Sequence, residues 1–141
     1  MRVNILLICI FFLLIITGCS SWNIEDVKPV VDNFYKYTNT NDYGNLKSML
    51  HEKWFEATSE EKTTQLFKTL NSKFGTVKEY ELIDWQVKSI VGTNGGTYFS
   101  LKYTTKRTIK DTTDTFTLFK PSGLDIFYIL GYNAYADISE E

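Results

Sequence analysis

Few side chains in these 141 residues have the type and spacing to do chemistry. His51 is the only histidine, so no site can be built on a histidine pair and any metal would rest on carboxylates. Asp42 falls in a turn, Glu60 and Glu61 in a helix-capping segment, and Asp111 and Asp114 at a hairpin tip. Each has a local structural reason to exist, and none has zinc or calcium spacing. A nucleophile triad would need His51 as base beside an activated serine or cysteine, and no nucleophile-elbow pattern is present. His51 follows Leu50 at the end of a short predicted helix, and a favourable interaction with that helix end accounts for it. No catalytic residue, metal or cofactor is assigned on these grounds, and a non-enzymatic role is expected. The remaining reactive group is the thiol of Cys19 in "LLIITGCSSW", Leu13 to Trp22, where a greasy run breaks and turns polar.

Arg2 and the free amino terminus make a minimal basic head, and Ile5 to Ile16 follows as twelve residues without a polar side chain. That run suits the core of a signal peptide and falls short of the roughly 20 residues a spanning helix needs. Ile16, Thr17, Gly18 and Cys19 then come in an order that resembles the bacterial lipobox. In that family a diacylglyceryl group is attached to the cysteine sulfur, a dedicated peptidase cuts before it, and the cysteine becomes the first mature residue. The resemblance implies a cleaved lipoprotein signal peptide over 1–18, lipid attachment at Cys19, and a membrane as partner through the acyl chains. Each buried methylene holds by about 0.8 kcal/mol, so two or three chains attach a small domain essentially permanently. Cys9 would leave with the signal and Cys19 would be blocked, so the mature chain has no thiol pair for a disulfide and must rely on its core. The expected location is the bacterial cell envelope. Ser20 stands where some inner-membrane lipoproteins carry a retention aspartate, so in a host with two membranes the outer one, facing the periplasm, is expected. Loss of Arg2 leaves 14 basic against 17 acidic residues, a formal charge of −3, which gives no field for nucleic acid.

Residues 19–25 read as a short tether. Val27, Val30, Val31, Phe34, Tyr35 and Thr38 then recur at steps of three and four, which predicts a helix from about Asp26 to Thr40, capped by Asp26 with Pro29 in its first turn. "NTNDYGNL" collects turn formers, and Asp42 caps a second short helix bearing Tyr43, Leu46, Met49 and Leu50. After the aromatic pair Trp54 and Phe55, Thr58 to Glu61 fits a capping box, and a third helix carries Leu66, Phe67, Leu70 and Phe74 to a stop at Gly75. Beyond Gly75 the period changes to two. Strand one covers about Val77 to Val91, with Ile83, Trp85 and Val87 opposite Asp84, Gln86 and Lys88; "GTNGG" turns the chain; strand two alternates Phe99, Leu101 and Tyr103 with Ser100, Lys102 and Thr104. A charged tip from Lys106 to Asp114 leads to strand three, with Phe116 and Leu118 on one face, and "PSG" turns it into a fourth strand, Leu124 to Ala136. No helical segment separates the strands, so the sheet is expected to be antiparallel.

This order, with "FYKYTNTNDYGNLKSML" and "LDIFYILGYNAY" as its most recognisable pieces, resembles the nuclear-transport-factor-2-like, or cystatin-like, cone fold. The resemblance implies an α+β fold over 26–138, one domain in which N-terminal helices pack on a curved four-stranded antiparallel sheet, a cone or α+β roll. It also implies a conical space, which Trp54, Phe67, Trp85, Phe99, Tyr103 and Phe116 would fill as core or line as a ligand pocket. Isomerases of this fold set an aspartate base and a tyrosine in the cone, and Asp84 and Tyr103 are the nearest candidates here. Ile126 and Tyr128 against Phe127 and Ile129 give strand four two apolar faces, which suggests a homodimer through the outer sheet face. Membership alone does not choose a function. The expected role is a non-catalytic binding module for an envelope protein or a small apolar ligand; an isomerase or dehydratase, and an immunity or exclusion lipoprotein, stay open as alternatives.

Overall fold

The computed structural model describes residues 22–136; Cys19, the signal peptide expected over 1–18 and residues 137–141 lie outside the described residues. The described residues begin inside the expected tether. Trp22 packs edge-on against Phe99 with ring centroids 6.2 Å apart, and the Asn23 side chain accepts from the Glu25 amide to start a 3-10 turn, Ile24–Val27. The cap therefore lies at Asn23 rather than Asp26, three residues earlier in the chain. The turn runs into α1 (Lys28–Asn39), with Pro29 in the first turn where a missing amide hydrogen is harmless. Of the expected stripe, Val27, Val31, Phe34, Tyr35 and Thr38 are buried and Val30 is half-buried at its margin.

Asp42 caps α2 (Tyr43–Ser48), accepting from the Asn45 amide at 3.2 Å and from its side chain at 2.6 Å. A further helix, α3 (Glu52–Ala57), carries the Trp54 and Phe55 pair that the sequence left without an element. Ser59 caps α4 (Glu60–Phe74), accepting from the Lys62 amide, and Gly75 ends it at φ +80°.

Four strands follow without a break: β1 (Val77–Ile90), β2 (Gly96–Arg107), β3 (Thr112–Pro121) and β4 (Tyr128–Tyr135). They pair in chain order, each antiparallel to the next, so the protein is an α+β roll with its helices on one face of a curved sheet. Register shifts at Val77/Glu79 and Leu82/Asp84 in β1, and opposite Thr117/Leu118 in β4, are the bulges that bend a sheet locally. Strand four starts later than expected. Leu124 to Phe127 precede it, Ile126 is half exposed, and only Ile129 of the expected apolar quartet reaches full burial. The strand still carries apolar side chains on both faces, Ile129 toward the helices and Tyr128 on the outer face.

The free edge of β4 gains one more short partner: Leu50 bridges Ile129 in parallel, with the Ile129 amide donating to the Met49 carbonyl at 2.8 Å and the His51 amide to the Ile129 carbonyl at 2.9 Å. Between helices and sheet lies an aromatic core centred on Phe34, whose ring meets Phe67 at 5.6 Å, Phe116 at 5.0 Å and Tyr132 at 4.6 Å. Edge and tilted pairs of this kind each add about 0.5–1.5 kcal/mol beyond area burial.

Candidate functional site

Of the six aromatic residues expected to fill or line the cone, Phe67, Phe99, Tyr103 and Phe116 are buried in the core, and Trp54 stacks on Phe67 at 6.2 Å while its Nε1 donates to Thr63 Oγ1 at 2.9 Å. Asp84 and Lys102 border a shallow depression of the outer face, and Trp85 is 48 % exposed. Its position follows from the bulge. Leu82 pairs with Tyr103, Trp85 with Leu101 and Val87 with Phe99, all on the helix-covered face; the extra residue, Ile83, turns Asp84 to the opposite face beside Lys102. Trp85 remains half exposed because β1 is the sheet's outer edge. Asp84 and Tyr103 are thus not brought together, and the acid–base pair suggested by the fold resemblance does not exist here.

Two charges expected in solvent are instead inside. Arg107 and Asp114 have side chains 3 % and 0 % exposed, and their Nη2 to Oδ2 distance is 2.8 Å. Asp114 Oδ2 also accepts from Tyr35 Oη at 3.0 Å and Tyr132 Oη at 2.7 Å, and its Oδ1 accepts from Thr112 Oγ1 at 2.6 Å. Arg107 completes its fork by donating from Nε to Thr112 Oγ1 at 2.8 Å, from Nη2 to Tyr132 Oη at 2.9 Å and from Nη1 to the Gly75 carbonyl at 3.3 Å. Burial first, and then the Asp114 charge, push the Tyr35 and Tyr132 phenols far above their ordinary range. For Arg107 burial works against the charge, but Tyr132 and Asp114 outweigh it and raise the guanidinium further. No buried side-chain nitrogen or oxygen of the cluster lacks a hydrogen-bond partner, and the cluster joins α1, the end of α4, β2, β3 and β4. Asp111 does what a tip residue is expected to do, accepting from the Arg107 amide at 2.9 Å.

A cleft lies on the other side of the sheet. Tyr98, Phe119 and Tyr128 are register partners across β2, β3 and β4, forming one outward row, with Tyr98 and Phe119 centroids 4.7 Å apart. His51 extends this row. Because Leu50 of the bridging segment points to the core, its neighbour points out, and the imidazole meets Phe119 at 5.6 Å and Tyr128 at 5.4 Å, both edge-on. The histidine's structural task is the N-cap of α3: Nδ1 accepts from the Lys53 amide at 3.2 Å. It serves the start of the next helix rather than the end of α2, as the sequence had suggested. With Nδ1 as acceptor, a neutral imidazole carries its proton on Nε2, leaving a donor at the cleft. Asn94, Gly95 and Ser122, from two turns joined by a Ser122 amide to Gly95 carbonyl bond of 3.0 Å, complete a cleft of about 410 Å³. Glu52 and Lys53 also line it, so the aromatic floor is flanked by one acid, one base and the imidazole, an arrangement suited to holding an apolar ring or side chain that carries a polar edge.

A second, smaller cleft of about 210 Å³ opens at the sheet edge between the first helical turn and β1, lined by Ile24, Glu25, Lys28, Tyr80, Leu82 and Tyr103. Burial, followed by the charges of Asp32 and Glu25, pushes the Tyr103 phenol up to about 12. Tyr80 donates to Asp32, which also pairs with Lys28 at 2.7 Å. Burial alone would raise the Asp32 carboxyl, but the bonds from Lys28 and Tyr80 outweigh it and hold the group below the ordinary carboxylate range.

Among the described residues, no three His, Cys, Asp or Glu side chains converge on a metal-sized site, and no helix is long and apolar enough to cross a membrane. No known family model, curated protein or solved structure matches the chain.

Proposed function

We propose that this chain is an envelope lipoprotein, moored by acyl chains on Cys19, whose domain binds rather than catalyses. The ligand is a small apolar molecule or an apolar side chain of an envelope partner, held in the cleft between His51, Tyr98 and Phe119. The supporting observation is a contrast: the interior is filled by aromatic rings and self-satisfied charges, whereas the outer cleft presents an aromatic floor beside an imidazole. In a host with two membranes the domain faces the periplasm.

Titration of the purified protein with N-phenylnaphthylamine, an apolar fluorophore, tests the binding reading. Saturable one-to-one binding is expected, weakened at least tenfold by Tyr98→Lys with an unchanged far-ultraviolet spectrum. Absence of saturation, or equal binding by the variant, contradicts it.

One observation favours a second reading, an enzyme of the isomerase or dehydratase type: Tyr103, 5 % exposed, lines the smaller cleft beside Tyr80 and Asp32. Its weakness is the carboxylate, since a general base works best with a pKa raised toward the working pH and Asp32 is shifted the other way. Loss of turnover in Tyr103→Phe, with the fluorophore still bound, would establish that reading over the first.

A further inference from the structure

Four of the seven exposed large aliphatic side chains among the described residues, Ile90, Val91, Leu124 and Ile126, gather at one end of the sheet. Val91, 99 % exposed, caps the β1–β2 turn, and Leu124 and Ile126, 51 % and 50 % exposed, sit in the connection from β3 to β4. These two turns lie side by side, joined through Gly95 and Ser122. Such side chains scattered singly need no explanation, but here three share two adjacent tips.

Trp22 lies at the same end. Its ring packs on Phe99 at 6.2 Å, Phe127 packs on Phe99 at 5.5 Å, and Lys120 Nζ sits 5.0 Å above Trp22 and 5.3 Å above Phe127. Lys120 also pairs with Asp125 at 2.8 Å, which leaves the one acid between the two exposed aliphatics locally compensated. The first described residue is therefore fixed against the tips' own base.

Only Ser20 and Ser21 separate Trp22 from Cys19. Three residue steps at 3.3–3.6 Å, fully extended, reach roughly 10 Å. A lipid on Cys19 thus holds this end of the sheet within about 10 Å of the bilayer, whichever way the linker bends. The opposite hairpin, a strand length of roughly 40 Å away, is polar but for Ile109, a single exposed aliphatic between Thr108 and Lys110.

We propose that Val91, Leu124 and Ile126, with Trp22 at the interface, form a bilayer-docking edge that seats the domain upright on the membrane to which Cys19 tethers it. Tryptophan suits the headgroup region, with an apolar body and a polar tip. The aliphatics supply shallow burial, and the tether supplies proximity, so that weak contacts suffice. The strands stand toward the bilayer and the Thr108–Asp111 tip points away from it. This inference rests on the lipoprotein reading.

The test uses the full lipidated chain in phosphatidylcholine–phosphatidylglycerol vesicles. The mature sequence offers no other free thiol, so Val91→Cys, Leu124→Cys and Ile109→Cys can each carry one environment-sensitive fluorophore. Nitroxide-labelled lipids are expected to quench the labels at 91 and 124 several-fold more than the label at 109. Adding Ile126→Asp and Leu124→Asp is expected to lose the quenching at 91 while the protein stays on the vesicles. Equal quenching at all three sites, in protein whose mass shows acyl chains, overturns the docking edge alone. Labels shielded from water yet untouched by lipid nitroxides would mean that a second copy covers the tips, and would overturn it too. A chain lacking any acyl mass overturns the lipoprotein reading and the docking edge with it.

Discussion

Arg107→Met isolates the contribution of the buried charge cluster. The wild-type guanidinium meets Asp114 at 2.8 Å with both side chains out of water. Methionine fills comparable space but leaves a carboxylate that still receives three hydroxyl hydrogen bonds, from Tyr35, Thr112 and Tyr132, and has no counter-charge. Removing one partner of a buried pair costs about 3–5 kcal/mol, against a total stability of about 5–15 kcal/mol for an ordinary domain. With a urea m-value of about 2 kcal/mol/M, the unfolding midpoint should fall by roughly 2 M. Asp114→Leu should cost a similar amount, because it leaves the guanidinium uncompensated. The double variant Arg107→Met with Asp114→Leu should recover a large part of the loss, since two apolar groups of matching size need no partners. Equilibrium urea unfolding followed by far-ultraviolet circular dichroism, on all four proteins, reads the coupling directly. Single variants that lose less than about 1 kcal/mol, or a double variant that loses their sum, would refute the view that the cluster is an interdependent staple.

The same cluster makes the fold sensitive to alkali. Burial and the Asp114 charge keep the Tyr35 and Tyr132 phenols protonated in the folded state, while the unfolded chain loses those protons near pH 10. The folded state then binds more protons, so stability is full below about pH 10 and falls above it by about 1.4 kcal/mol per pH unit for each tyrosine; a midpoint that stays flat from pH 9 to 11 would contradict this. Gly75→Ala should cost at least about 2 kcal/mol, because φ is +80° and a methyl there would lie 1.9 Å from Thr108 Oγ1 and 2.8 Å from the Ile109 amide. Gly123→Ala, at φ +78° but with open space around it, should lose about 1 kcal/mol, so equal losses at both sites would dismiss the clash. Trp54→Phe keeps the stack on Phe67 but strands the buried Thr63 hydroxyl, and thermal or urea unfolding should register a loss of about 1–2 kcal/mol.

The elements with long, clean periods are readable without coordinates. The stripe from Val27 to Thr38 and the alternation Phe99, Leu101, Tyr103 each carry enough repeats to define a buried face, and all of these residues are buried except Val30, which is half-buried. The shorter features are not readable in this way. Residues 52–57 form six residues of helix between two caps, too few for a stripe, so the role of His51 as an N-cap and as the end of an aromatic row depends on a strand bridge between Leu50 and Ile129 that no local pattern signals. The bulge at Ile83 changes the parity of β1 part-way along, which is why Asp84 and Leu82 face opposite ways despite their spacing of two. The buried pair was hidden by its chemistry rather than its position. Continuing the parity of Phe99 to Tyr103 forward reaches Thr105 and Arg107, and continuing that of Leu118 and Phe116 backward reaches Asp114 and Thr112, all of them buried. Charge at a hairpin suggests solvent, whereas strand parity places these residues inside, and parity prevails because each charge finds the other.

The mass of the intact chain, extracted with detergent from bacterial membranes, tests the anchor on which location, orientation and docking all depend. The account predicts a polypeptide that starts at Cys19 and carries the added mass of two or three acyl chains with their glyceryl group, and a Cys19→Ser variant that keeps residues 1–18 and gains none. A wild-type chain that retains Met1 and an unmodified Cys19 would contradict it.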